Sequence, residues 1–257
     1  MSVYTTEIAS DHLDSDNPIH QRLIKAYHLA IPYIKGDLLE IGCGEGRGID
    51  LIYPHCDRYT AIDKIGSVIE KLQQRYPAVT FYQMNIPPLG TLGDNSFDSV
   101  ISFQVIEHIE DDLSYLQEIK RVLKPGGIAL LTTPNFKFTL TRNPWHQREY
   151  LSHELFQLAQ SVFDQVEVKG IQGNEKVMEY YQQNKQSVRK ITRFDIFDLQ
   201  HKLPASWLRL PYDLLNRLNR RSLQKDDDQL VASITHRDYS LTDNAEAGLD
   251  LFCVLIK

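Results

Sequence analysis

Apolar positions along the chain repeat with two periods, and the switches between them mark the elements. After a polar stretch over residues 1–17, Asn17-Pro18 reads as a helix start, and Leu23, Ala26, Tyr27, Ala30 and Ile31 recur at spacings of three and four. That pattern predicts an amphipathic helix ending near Gly36, either covering a sheet edge or acting as a lid. Short apolar runs then read as strands at Leu38–Ile41, Tyr59–Ile62, Val79–Gln83, Phe97–Phe103 and Ile128–Thr133. Helical spacing separates them over 46–54, Gly66–Gln74 and Asp112–Val122, and Leu123-Lys124-Pro125-Gly126-Gly127 breaks the last of these. A helix at 152–161, a strand at Gln165–Ile171 and a C-terminal apolar run, Leu249–Ile256, complete the pattern. Alternation through five strands predicts an α/β, Rossmann-like fold with a parallel sheet and helices on both faces, whose ligand lies at the carboxyl ends of the strands.

The first strand runs into DLLEIGCGEGRG, in which Gly42, Gly44 and Gly46 force a tight turn and leave main chain open to a ligand. A dinucleotide fingerprint spaces its glycines G-x-G-x-x-G, whereas the spacing here is G-x-G-x-G. Glu40, two positions before the first glycine, could accept from a cationic amine, which favours a ligand carrying an ammonium group. Asp63 closes the second strand 21 positions after Gly42, where a carboxylate can accept from ribose hydroxyls or cap the next helix. Asn85, in the turn after the third strand, offers a donor and an acceptor to an adenine edge.

Composition narrows the classes. A formal net charge of −6 over 257 residues argues against broad nucleic-acid binding. Three cysteines (Cys43, Cys56, Cys253) have neither disulfide-framework nor zinc spacing and fit a reducing cytoplasm. No apolar run approaches the roughly 18 residues of a spanning helix, and the N-terminal stretch lacks the apolar segment of an export signal. No repeat and no His/Asp/Glu cluster spaced for a metal is evident.

The set LLEIGCGEG, AID, FDSVISFQVIEH and LKPGG, in that order over residues 37–133, resembles the class I S-adenosylmethionine-dependent methyltransferases of the small-molecule type, similar to methyltransferase types 11 and 12. The resemblance implies a seven-stranded sheet with a reversed last hairpin, S-adenosylmethionine as cofactor, and no metal. It implies Glu40, Gly42 and Gly44 at the methionine moiety, with Cys43 in the same loop. It further implies Asp63 on the ribose, Asn85 and Ile86 at the adenine, and Gln104 on the methyl side. Most relatives carry Asp where Asn85 stands.

Substrate chemistry is expected in the second half. The segment TPNFKFTLTRNPWHQREYLSHELFQLAQ is too rich in His, Arg, aromatic and Asn-Pro signals for a plain connector. Within it His146 is the candidate general base for an acceptor hydroxyl, with Arg148 beside it, because imidazole titrates near working pH. The alternative is a loop histidine bonded to Glu149 or to backbone. His108, after the fourth strand, has a competing catalytic claim and a structural alternative. The same loop is similar, more weakly, to one in methyltransferases of bacterial cell-surface glycan synthesis.

The expected organisation is an N-terminal leader and edge helix (1–36), a cofactor-binding domain (37–171 and 249–257) and a helical insertion (172–248). Residues 185–225 hold ten Lys or Arg against three Asp. Three uses of that insertion compete: a cap or homodimer surface, an anionic-substrate site, and a peripheral membrane contact through 204–222 for a lipid-linked acceptor. Pro211 argues against one long uninterrupted membrane helix there, and Asp226–Asp228 read as a loop. The expected activity is methyl transfer from S-adenosylmethionine to a small-molecule or glycan-like acceptor, at oxygen. A non-catalytic cofactor-binding scaffold and an NAD-dependent oxidoreductase are the alternatives.

Overall fold

A computed structural model describes residues 14–193 and 202–257, so most of the expected leader and the middle of the basic stretch lie outside the described residues. Helix α1 (Asn17–Ala30) leads into β1 (Asp37–Ile41), α2 (Ile49–Ile52), β2 (Arg58–Asp63), α3 (Gly66–Arg75) and β3 (Thr80–Gln83). Then follow β4 (Phe97–Phe103), α4 (Asp112–Val122), β5 (Leu123–Pro134), α5 (Ser152–Gln160) and β6 (Gln165–Gly173). The chain closes with α6 (Glu175–Thr192), α7 (Ala205–Asp226), α8 (Asp228–Ser233), β7 (Tyr239–Thr242) and β8 (Asp250–Ile256).

The strands form one sheet in the order β3-β2-β1-β4-β5-β8-β6-β7. The first five are parallel, and β8 lies antiparallel between β5 and β6, so the last hairpin is reversed as expected. The order turns around between β1 and β4, which opens a crevice at the carboxyl ends there. Alternate residues serve opposite faces. Leu38, Leu130 and Phe252 pack with α1, α2 and α3, whereas Leu39, Leu131 and Leu251 pack with α4 and α5.

Among the described residues the sheet has eight strands, not seven. The extra one, β7, pairs with β6 through Leu241 and Ile171. At four residues it is too short to carry a readable period, and it sits in a segment otherwise helical. The expected break at LKPGG is absorbed into β5, whose pairing with β4 shifts register between Phe97 and Ser99. The helix expected over 46–54 shrinks to α2, because the glycine turn extends further into it.

One expectation about the insertion fails, that of a loop at Asp226–Asp228. Helix α7 runs unbroken through Pro211. The proline removes only the bond to the carbonyl of Trp207, in an exposed first turn where solvent can satisfy it. Asp226–Asp228 do not form a loop. Asp227 ends α7 and caps α8, accepting from the Leu230 N–H at 2.9 Å. Among the described residues no helix is long and apolar enough to cross a membrane.

Candidate functional site

The glycine turn follows from where β1 must stop. Gly42 N–H donates to the Ile62 carbonyl at 2.8 Å, folding the chain sharply over the end of β2. Its φ of +76° suits glycine, and a Cβ there would come within 2.4 Å of Val105 Cγ2. Gly44 has φ +50° and open space where its Cβ would be, so its backbone faces a cleft. Asp63 holds the rim: its carboxylate accepts from Gly44 N–H at 2.9 Å and from Ile65 N–H at 3.0 Å.

The cleft measures about 200 Å³ and gathers Gly42, Gly44, Asp63, Asn85, Ile86 and Gln104. His108 joins them, as do Met84, Ile65 and Val105, none of which sequence spacing singled out. Gln104 has φ +58° and is pinned by its N–H to the Thr132 carbonyl at 2.8 Å. The exposed backbone, a carboxylate over β2 and the apolar floor of Met84, Ile65 and Ile86 fit an adenosyl group with a charged tail.

A second cavity of about 220 Å³ lies between the segment 134–149, the start of α1, and helices α6 and α7. His146 and Glu149 line it, with Asn143, Tyr180, Tyr212 and Asn216. The protonation of His146 can be read from its neighbours. Asn143 Oδ1 accepts from Trp145 N–H at 3.0 Å, so its amide nitrogen is the atom 2.8 Å from His146 Nε2. Nε2 therefore carries a lone pair, and Nδ1–H donates to Glu149 at 2.7 Å. The other Glu149 oxygen accepts from Thr139.

His108 meets His146 edge to face, ring centroids 4.9 Å apart, so the two imidazoles stand between the cleft and the cavity. His108 Nδ1 donates to the Trp145 carbonyl at 2.9 Å. Beneath them Glu107 is buried and accepts from Thr133 Oγ1 at 2.9 Å. Its backbone carbonyl accepts from Gln147 N–H at 2.7 Å, which draws the loop onto the sheet. The expectation of no metal-spaced cluster needs correction: Glu107, His108 and His146 place ligand-type atoms within 4.8 Å of one another. No spacing reveals it, because the loop comes in from 38 residues away. Both His146 nitrogens are already engaged.

Arg148 reaches neither cavity. It pairs with Asp112 at 3.0 Å and lies over the Tyr150 ring, because the chain at that point turns its side chain onto the first turn of α4.

Comparison with known proteins fits this geometry. A family profile described as "Methyltransferase domain" matches residues 39–131, a span that includes the turn, Asp63 and the β4 end. Residues 39–131 carry a methyltransferase domain. A Mycolicibacterium smegmatis protein named "Probable S-adenosylmethionine-dependent methyltransferase" is 40% identical over 136 residues, 51% of this chain and 52% of that one. A Rickettsia conorii protein named "Ubiquinone biosynthesis O-methyltransferase" is 30% identical over 105 residues, 39% of this chain and 36% of that one. The chain thus spans about half the length, or less, of these curated relatives. In fold it is similar to an S-adenosylmethionine-dependent methyltransferase crystal structure from Thermotoga maritima, with TM-score 0.58 and 14% identity over 93% of this chain and 91% of that one.

Within this methyltransferase domain two residues expected at the cofactor stand apart from the cleft. Glu40 is 2% exposed, and its oxygens accept from Tyr27 Oη at 2.7 Å and Tyr59 Oη at 2.6 Å. Burial raises its pKa, against the two tyrosine hydrogen bonds that favour the charge. The carboxylate expected to meet an amine is turned to the α1 side, where it ties α1 to β1 and β2. Cys43 is likewise buried, packed in the same core. Tyr59→Phe strips Glu40 of one buried donor, and should lower unfolding stability by about 2 kcal/mol in a denaturant titration.

Glu107 gives the methyltransferase domain a pH signature. Burial lifts its pKa to about 7, against the backbone and Thr133 hydrogen bonds that favour the charge. The folded state therefore holds a proton that the unfolded carboxyl, near 4.5, releases. This contribution to stability is full below 4.5 and is lost as pH rises through 7. Glu107→Gln should flatten the fall in melting temperature over that window. An unchanged slope would show that the carboxyl is already ionised.

Proposed function

We propose that the chain transfers a methyl group from S-adenosylmethionine to an oxygen of a small, hydroxylated, glycan-like acceptor held in the second cavity. The observation that carries this reading is the His146–Glu149 pair on the wall facing the cleft. Bound S-adenosylmethionine supplies a methyl group already activated on a sulfonium. Gly42 and Gly44 would lie along its methionine portion, Asp63 would accept from the ribose, Asn85 and Ile86 would hold the adenine, and Gln104 would line the methyl side.

The rest of the work falls to the acceptor side. Orienting the acceptor oxygen in line and excluding water can contribute roughly 7–11 kcal/mol. As the acceptor hydroxyl takes the place of the Asn143 amide at His146 Nε2, that lone pair receives its proton. Glu149 holds the opposite N–H and stabilises the imidazolium that forms. His108 buttresses the ring edge to face. The Asn and Tyr lining supports a polyhydroxylated acceptor, and the O-methyltransferase name of the Rickettsia relative supports oxygen. Free Cys43, Cys56 and Cys253 are in keeping with a cytoplasmic setting.

The scaffold alternative keeps cofactor binding without transfer, since fold alone does not fix activity. Incubation with methyl-labelled S-adenosylmethionine and fractionated pools of hydroxylated small molecules separates the two. Label in a hydroxylated product supports the reading, and label in no pool favours the scaffold. The oxidoreductase alternative is disfavoured by the G-x-G-x-G spacing and by the family of the domain.

A further inference from the structure

Helix α7 has two faces with opposite chemistry. Inward, Tyr212, Asn216, Asn219 and Arg220 line the second cavity, and Arg209 lies over the Trp145 ring while Asp213 accepts from its Nε1 at 3.1 Å. Outward, Trp207, Leu210, Leu214 and Leu218 follow one line at spacings of three and four, and Leu215 widens it. Among the described α-helices these five are the most exposed large apolar side chains, with Leu210 82% and Trp207 71% exposed. Past Leu218 the same face turns basic, with Arg221 and Lys225 exposed and Arg217 alongside. Asp213, turned inward, is the only acidic residue from 207 to 225.

We propose that this outer face of α7 docks on an anionic phospholipid bilayer, lying in the interface with its apolar turns among the acyl chains. The basic end takes the headgroup phosphates. A contiguous apolar helix face with an adjoining basic patch has the two components of interfacial binding, buried apolar area and attraction to anionic lipid. The whole chain carries a net charge of −6, so an anionic surface selects this face and repels the rest.

A second copy of the chain fits the same face poorly. In an antiparallel pairing over the whole helix the apolar turns of one copy meet Arg221 and Lys225 of the other, and a shorter pairing over Trp207–Leu218 leaves these cations without a role. In a parallel pairing these cations face one another. A bilayer accepts both halves of the face at once, and it places the second cavity directly beneath the lipid surface.

The docking is independent of the acceptor reading and is measured without any substrate. In flotation with vesicles of phosphatidylcholine doped with phosphatidylglycerol, the full chain should float, and raised salt should weaken binding. Pure phosphatidylcholine should retain much less. Leu210→Glu with Leu214→Glu should lower the bound fraction roughly tenfold or more, with melting temperature as the check that the variant folds. Arg221→Glu with Lys225→Glu should lose the preference for phosphatidylglycerol. A wild type that stays out of the floating fraction overturns the proposal, as does a leucine double variant that floats equally well. Sedimentation showing a dimer that the leucine variant dissolves, with no vesicle binding, assigns the face to a second copy instead.

Discussion

His146→Ala is expected to lower methyl transfer by roughly 100-fold or more while leaving binding of S-adenosylhomocysteine within about twofold of wild type. The ring is locked in one neutral tautomer by Asn143 and Glu149, so its basic nitrogen already points away from the carboxylate. Losing it removes the proton acceptor but no residue of the cleft. Glu149→Gln is a milder test of the same idea: it can keep a hydrogen bond to the ring, yet it no longer stabilises the imidazolium, so turnover should fall less than in His146→Ala. Transfer rates measured at saturating cofactor read both. Unchanged turnover in His146→Ala would leave the histidine as a structural pin between loop and sheet.

Asp63→Ala is expected to weaken S-adenosylhomocysteine binding by roughly 100-fold. Hydrogen bonds to a charged group contribute about 1.5–3 kcal/mol each, and tenfold in affinity is about 1.4 kcal/mol, so losing two ribose contacts suffices. The carboxylate also accepts from Gly44 and Ile65 N–H. The variant should therefore loosen the glycine turn, and its melting temperature should drop by a few degrees. Asp63→Asn keeps an acceptor oxygen and should recover part of both losses. Calorimetric titration checks the affinities, and full affinity in Asp63→Ala would reduce Asp63 to a pin between the glycine turn and the end of β2.

What could be read from the sequence was what depends on neighbours in the chain. The apolar runs at β1, β2 and β4, the glycine turn between β1 and α2, and Asp63 at the β2 end all express local periodicity and local backbone freedom. They sufficed to predict a parallel sheet with a cleft at the carboxyl ends of its strands. The edge strand β7 was missed because four residues carry no period.

The larger failures concern side-chain direction. Glu40 stands at the expected position, yet Tyr27 and Tyr59 occupy both its oxygens from elements far apart in sequence. Arg148 follows His146 by two residues and points to the other side of the loop. The Glu107, His108 and His146 cluster exists because Gln147 bonds the Glu107 carbonyl, a contact that no spacing encodes. A short helical or loop motif fixes which residues are near. It does not fix which atom each presents.

The most direct test of the account is calorimetric titration of the wild-type chain with S-adenosylmethionine, S-adenosylhomocysteine and NAD. The cleft geometry and the family of the domain predict one site for each adenosyl compound and no heat with NAD. Binding of NAD with no response to either adenosyl compound would contradict the reading of the glycine turn and everything built on it.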